Sequence, residues 1–258
     1  MKDSVTARFA AVSCPHFPYA REESLAFVFH TLEKQKGLTH FVVLGDLFEA
    51  KSASVHSDEE VECLLSNYAA AAKFYEDLQD VLPADCERVW CLGNHDDNIQ
   101  VSDFRRIPKS LRKLVHWNNT LVHGAVFKRW KQIPYVKGVE GCYQLGQVIF
   151  YHGYDAGNNS DETEGLQMAM ACGGHAHRLT VRGHTHRPLG VTQASYSAKV
   201  MLPYWYANAG TLGPLKPGYM QRKDTSLWGP GMVVGSCEVA RPSRMRQGPQ
   251  WEAELLVP

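Results

Sequence analysis

No run in this sequence approaches the roughly 18 consecutive apolar residues that a helix needs to cross a bilayer, so a membrane-spanning helix is not expected. The start, MKDSVTARFAAVSC, lacks the apolar core and small-residue cleavage pattern of a signal peptide, and the chain is expected to be cytoplasmic. There is no CxxC pair. The seven cysteines are odd in number and scattered, which fits reduced thiols better than a disulfide framework. The one close pair, CERVWC at 86–91, has a spacing that suits no common zinc motif. Internal repeats and low-complexity linkers are also absent, so a single domain over 1–258 is expected, long enough to bury a sizeable core. Net charge is missing as well, with 27 Lys and Arg against 27 Asp and Glu. That balance hides an asymmetry: residues 1–103 carry 18 acids against 8 bases, whereas residues 104–139 carry nine bases and no acid.

What is present alternates. RFAAVS (8–13), THFVVLGD (39–46) and RVWCLGN (88–94) are apolar or β-branched runs ending in small or polar residues, as buried strands do where they enter functional loops. Between them, REESLAFVFHTLEKQKG spaces Leu25, Phe29 and Leu32 as a helix face and offers Gly37 as a stop. SDEEVECLLSNYAAAAKFYEDLQDVL reads as a long amphipathic helix capped by Ser57. This strand–helix order predicts right-handed crossovers and a parallel or mixed sheet. After residue 103, FRRIPKSLRKLVHW reads as a short basic helix. TLVHGAVF, CYQLGQVIFYHG, LTVRGHTH, YWYANAG and GMVVGSCEV then read as strands of a second sheet, interrupted by one helix near 161–172.

Polar groups able to bind metal collect at the ends of these runs: Cys14 and His16, Asp46, Asn94 and His95, His152, and His184 with His186. Burying such groups unpaired costs roughly 1–3 kcal/mol each, so their repeated placement after apolar runs is hard to explain structurally. Imidazole, carboxylate and amide oxygen together suit Zn, Fe or Mn. A set this large suggests two cations, with Asp46 as the natural bridge. GGHAHR (173–178) also spells GHxH, but RGHTHR follows a strand-like LTV and is the preferred copy.

The series GDLFE (45–49), GNHD (93–96), YHG (151–153) and GHTH (183–186) resembles the calcineurin-like metallophosphoesterase family in order and spacing, over roughly residues 8–213. The resemblance implies an α/β fold, a four-layer αββα sandwich of two mixed sheets flanked by helices, with 214–258 as a C-terminal extension. It implies two divalent metal ions and attack of a metal-bound hydroxide on a phosphate mono- or diester. Carried across, His16, Asp46 and His186 would hold one metal, and Asp46, Asn94, His152 and His184 the other. His95 would protonate the leaving oxygen, with Glu49 orienting it. The chain departs from the family at its first motif, where Asp-x-His is replaced by Cys14-Pro15-His16. Two readings stand open: a thiolate ligand that favours Zn or Fe over Mn, or a small buried residue beside a weakened site. The second leads to the alternative of a catalytically weakened scaffold or metal-dependent binding protein. GDLFEAK also lacks the Arg of the GDxVDRG loop of Ser/Thr phosphatases.

The basic segment at 104–139 lies near the site in sequence, with Trp117 and Trp130 among its cations. Arg105, Arg106 and Lys109 are its candidate substrate-binding residues, suiting a nucleotide or nucleic acid, against the alternative of a solvated basic face.

Overall fold

The computed structural model describes residues 5–51, 63–100, 113–114, 116–173, 177–194, 203–220, 224–239 and 249–258. The apolar runs of the first half become β1 (Val5–Val12), β2 (His40–Leu44) and β3 (Glu87–Cys91), paired in parallel. α1 (Glu22–Lys34) and α2 (Leu64–Val81) connect them. A short strand, β4 (Lys131–Ile133), adds to β3. On the other side β10 (Met232–Val239) pairs antiparallel with β1, and β11 (Trp251–Leu256) with β10, completing six strands in the order β11-β10-β1-β2-β3-β4.

The second sheet has five strands in the order β5-β6-β7-β9-β8: β5 (Tyr143–Leu145), β6 (Val148–Phe150), β7 (Arg178–Arg182), β8 (Leu189–Gln193) and β9 (Tyr204–Asn208). Both sheets are mixed, and together with the helices they form the α/β architecture that the motifs implied. Alternation along β2 shows why. Phe41 and Val43 pack under α1 and α2, while Val42 and Leu44 face Phe150, Leu179 and Val181 of the second sheet. Two covered faces require a continuous apolar run rather than an alternating one. Burying these four side chains contributes on the order of 8 kcal/mol, at roughly 2 kcal/mol each. Beyond the second sheet, Ile149 and Tyr151 pack against Met168 and Cys172, on and just after the outer helix Ser160–Ala171. The layers therefore run helix, sheet, sheet, helix.

Several expectations are corrected. TLVHGAVF is not a strand: it forms a turn and the short helix Gly124–Phe127, with Leu121 and Val122 exposed. Phe127 then enters an aromatic cluster with Phe48, Tyr68, Tyr75 and Trp90, a burial that an edge strand would not have given it. GMVVGSCEV belongs to the first sheet, where its long apolar register matches β1. The long helix is described from Leu64; Ser57 and the residues before Cys63 lie outside the described residues, as do residues 104–112 of the basic stretch.

Candidate metal centre

The carboxyl ends of β1, β2, β3, β6 and β7 open on one side of the sandwich, and every expected metal-binding residue follows one of these strands or lies in the loop or helix just beyond it. Main-chain hydrogen bonds tie these loops together. Cys14 N donates to Gly45 O (3.1 Å), His16 N to Asp46 O (3.0 Å) and Gly183 N to His152 O (3.0 Å). The returning NAGTLGP loop completes the frame, with Leu212 N on Ser13 O (3.1 Å) and Gly213 N on Cys14 O (3.0 Å).

The backbone here is strained. Cys14, His16, Asp46, His184 and His186 have φ between 48° and 65°, the left-handed region that non-glycine residues avoid at a cost of roughly 1–2 kcal/mol each. Cys14-Pro15-His16 and His184-Thr185-His186 share the same alternation, left-handed at the first and third positions. The glycines of the motifs permit close approach. A Cβ on Gly45 would stand 2.3 Å from His152 Nδ1, and one on Gly93 would stand 2.2 Å from Asp46 Oδ1.

Three groups of donor atoms result, each within 4.8 Å: Cys14, His16, Asp46 and His186; Asp46, His152 and His184; and His16, Glu49 and His95. Asp46 belongs to both of the first two. Its Oδ2 lies 3.7 Å from His16 Nε2 and 3.3 Å from His152 Nε2. His16 Nε2 and His186 Nε2 are 3.1 Å apart, as are His152 Nε2 and His184 Nδ1. Asn94 Oδ1 joins the second group, 3.1 Å from His152 Nε2. Nitrogens held at about 2.0–2.1 Å by one cation stand about 3.0–3.4 Å apart across a coordination edge, so the donor set fits metal ions. His152 Nδ1 donates to Leu44 O (2.7 Å), which leaves Nε2 as the donor atom toward the site.

Charge tells the same story. Burial alone would raise the Cys14 thiol, but the imidazoles of His186, His152 and His16 together hold it well below its ordinary value. Asp46 is held low in the same way, its burial outweighed by His152, His95 and His16. His16 is raised well above its ordinary value against its own burial, by Cys14, Glu49 and Asp46. His152 is raised likewise, by Asp46 and Cys14. Burial, then the charge of His152, lowers His184 to about 3, so it stays neutral with a free lone pair. Protons on His16 and His152 thus stand where cations would.

Glu49 departs from its expected role. Its carboxylate lies 2.9 Å from His16 Nδ1 and 3.9 Å from His95 Nδ1. His95 Nδ1 instead meets the Glu49 carbonyl at 2.6 Å, and a carbonyl only accepts, so the proton sits on Nδ1 and Nε2 is left free. Glu49 therefore orients His95 through its main chain and His16 through its side chain. Cys14 is fully buried and its Sγ accepts from His184 N at 3.3 Å. Of the second GHxH copy, His177 stacks on Trp205 and its carbonyl accepts from Trp251 Nε1, outside all three donor groups; His175 lies outside the described residues.

Two supporting residues escaped the sequence reading. Asp96, the last residue of GNHD, is buried and accepts from Gly93 N (2.9 Å), Phe48 N (3.1 Å), Trp90 Nε1 (3.2 Å) and Leu47 N (3.3 Å), bracing the loops on either side of Asp46. Burial, then the Asp46 charge, push its carboxyl up to about 7 despite these donors. Asn208 is buried at the end of β9, with its Nδ2 between Asp161 Oδ1 (2.8 Å), Thr185 Oγ1 (2.8 Å) and Gly183 O (2.9 Å). Asn208 could have been found by the rule that found the ligands, since it closes the run YWYAN, whereas Asp96 lies two residues beyond the end of its run.

The centre opens into a cleft of about 520 Å³ bordered by Asn158, Arg187, Met220, Asp224, Leu227 and Trp228. Arg187 is fastened to the 156–158 loop through Gly157 O (2.9 Å), Ala156 O (3.1 Å) and Asn158 Oδ1 (3.2 Å). The expected substrate residues Arg105, Arg106 and Lys109 lie outside the described residues. Trp117 and Trp130 do not offer stacking faces: both are core residues, Trp130 stacked on Tyr75 with centroids 3.7 Å apart. Nearby cations are engaged locally, Lys131 with Glu87 and Arg129 with Gln79.

A two-sheet α/β sandwich with candidate metal donors clustered at its parallel strand ends defines a class of metal-binding proteins. The chain belongs to the calcineurin-like phosphoesterase family, whose model matches residues 7–188. No curated protein matches it. Among the described residues, no helix is long and apolar enough to cross a membrane.

Proposed function

We propose that the protein hydrolyses a phosphate ester, mono- or diester, at a centre holding two divalent metal ions. The observation that carries this reading is the pair of donor groups sharing Asp46, four of whose histidines place ring nitrogens 3.1 Å apart in two pairs. Cys14, His16, Asp46 and His186 hold one ion, and Asp46, Asn94, His152 and His184 the other. When bound, the ions supply positive charge at the phosphoryl oxygens and an acidified water. Zn, Fe or Mn suits the donors, and a Cys14 thiolate favours Zn or Fe at the first position.

His95 is the general acid. Its Nδ1–H is held by the Glu49 carbonyl and its backbone N–H donates to Asp46 Oδ1 at 3.0 Å, so Nε2 is left open to the adjoining cleft, where the imidazolium form gives its Nε2 proton to the leaving oxygen and reverts to the Nδ1–H imidazole. Glu49 keeps His16 Nε2 turned toward Asp46 and His186. Arg187 adds a fixed guanidinium for a phosphoryl oxygen.

The test is elemental analysis of protein purified without chelator, followed by phosphoester assays. Two equivalents per chain and metal-dependent turnover are expected, with His95→Gln lowering kcat about 100-fold or more while keeping both metals. One equivalent or none, with no turnover of any ester, would leave a scaffold built on this fold.

A further inference from the structure

The cleft is asymmetric beyond the metal donors. One part carries Arg187, whose guanidinium contacts two carbonyls and an amide oxygen but pairs with no carboxylate among the described residues. Another part is apolar: Met220, Leu227, which is 69% exposed, and Trp228, whose ring packs on His186 with centroids 4.3 Å apart at 78°. This part is held in place by main chain. Gly229 N donates to His186 O (3.1 Å), Thr211 N to Gly229 O (2.8 Å) and Trp228 N to Thr225 O (2.9 Å). A half-buried indole and an exposed leucine thus stand next to a metal-donor histidine.

Asp224 sets the polarity of this wall. It lies at the rim of the same cleft, where its carboxylate accepts from Ser226 N (2.8 Å) and feels the Lys216 charge, and its own negative charge opposes a second phosphate there. An anionic end is attracted to the donors and Arg187, whereas the Leu227–Trp228 side favours a neutral, flat, apolar group. A volume of about 520 Å³ is in the range of small-molecule sites.

We propose that Leu227 and Trp228 form a specificity wall that selects phosphate esters carrying one phosphate and an uncharged aromatic organic group. This rests on the hydrolase reading of the same cleft. Arg187 contacts a phosphoryl oxygen and Trp228 packs on the ring, so the leaving oxygen lies between them, where His95 also lines the cleft. A polynucleotide, with charge on both sides of the scissile bond, is disfavoured by Asp224.

The experiment measures binding of two non-hydrolysable probes, phenylphosphonate and methylphosphonate, to the full metal-loaded chain by calorimetry. The wild-type protein should bind the phenyl probe about tenfold tighter. Trp228→Ala should bring that ratio close to one, Trp228→Phe should retain most of it, and Leu227→Ala, an exposed position whose loss does not threaten folding, should reduce it two- to threefold. No preference in the wild type, no measurable binding of either probe, or an unchanged ratio in both Trp228→Ala and Leu227→Ala overturns the proposal. Turnover of phenyl phosphate is scored separately: an intact binding ratio without hydrolysis would sink the hydrolase reading and leave an aromatic phosphate-binding cleft.

Discussion

Replacing Gly93 by alanine tests the geometry of the centre most directly. The new Cβ would stand 2.2 Å from Asp46 Oδ1, 2.4 Å from Asp46 N and 2.9 Å from Asp46 Cγ, where ordinary contact begins near 3.4 Å. Two of these atoms belong to the side chain that two of the donor groups share, and the third is backbone that cannot swing aside. Relief requires a relative shift of about 1 Å, whereas metal–ligand distances tolerate only about 0.2 Å. The overlap should also cost up to about 3 kcal/mol of stability, and a chain of this size loses about 2–4 °C in Tm per kcal/mol. Gly93→Ala is therefore expected to melt about 6–12 °C below the wild type, to hold at most one metal equivalent, and to lose at least 100-fold in turnover. Gly190→Ala is the control, because a Cβ there meets nothing within 4 Å. Gly93→Ala protein with two metal equivalents and an unshifted Tm would refute the close approach of β2 and β3 loops on which the centre rests.

Three further outcomes follow from the same contacts. Cys14→Ala should lower metal content from two equivalents toward one, and Cys14→Asp should restore it; equal content in the wild type and Cys14→Ala would make Cys14 a packing residue. Metal uptake at pH 7 should release protons, measurable by calorimetry in buffers of different ionisation enthalpy. Because His16 and His152 are raised above their ordinary values, they hold protons at neutral pH in the metal-free chain, so affinity should grow as pH rises. Asn208→Ala removes an amide that serves Asp161, Thr185 and Gly183 and accepts from Gly210 N (2.8 Å), leaving buried partners unpaired at a cost of about 3 kcal/mol. Thermal unfolding within 2 °C of the wild type would show that water or rearranged partners replace it.

Strand ends were legible because two kinds of information coincided there. β1, β2 and β3 are apolar runs covered on both faces, and each stops where a polar side chain must leave the core, so Cys14, Asp46 and Asn94 could be read from one line of text. TLVHGAVF misled because five apolar residues in eight suit a strand as well as a turn followed by a helix. The deciding fact, an aromatic cluster contributed by Phe48, Tyr68 and Tyr75, lies more than 40 residues away. GMVVGSCEV was recognisable as a strand, but its sheet depended on pairing with β1, more than 200 residues earlier. The Glu49 carbonyl on His95 was beyond reach for a different reason: a sequence names side chains, and this contact is made by the main chain.

Backbone strain is the part of the site that a sequence does not display, and it bears on whether Cys14 is a lesion. Five non-glycine residues in the left-handed region amount to roughly 5–10 kcal/mol, comparable with the whole stability of an ordinary domain. Cys14 is among them, at φ 51°, the same value as His16. A cysteine that served only as packing could relax toward an ordinary conformation, since nothing in a small buried thiol requires a strained backbone. Instead its left-handed conformation is shared by His184, at the end of a strand of the second sheet, and its sulfur lies within one donor group with His16, Asp46 and His186. Such strain persists where surrounding contacts over-determine it, and the contacts that do so here converge on the two donor groups that share Asp46. The thiol is placed as a ligand would be placed, and the expected rescue of Cys14→Ala by Cys14→Asp follows from that placement: the backbone already holds whatever donor occupies position 14.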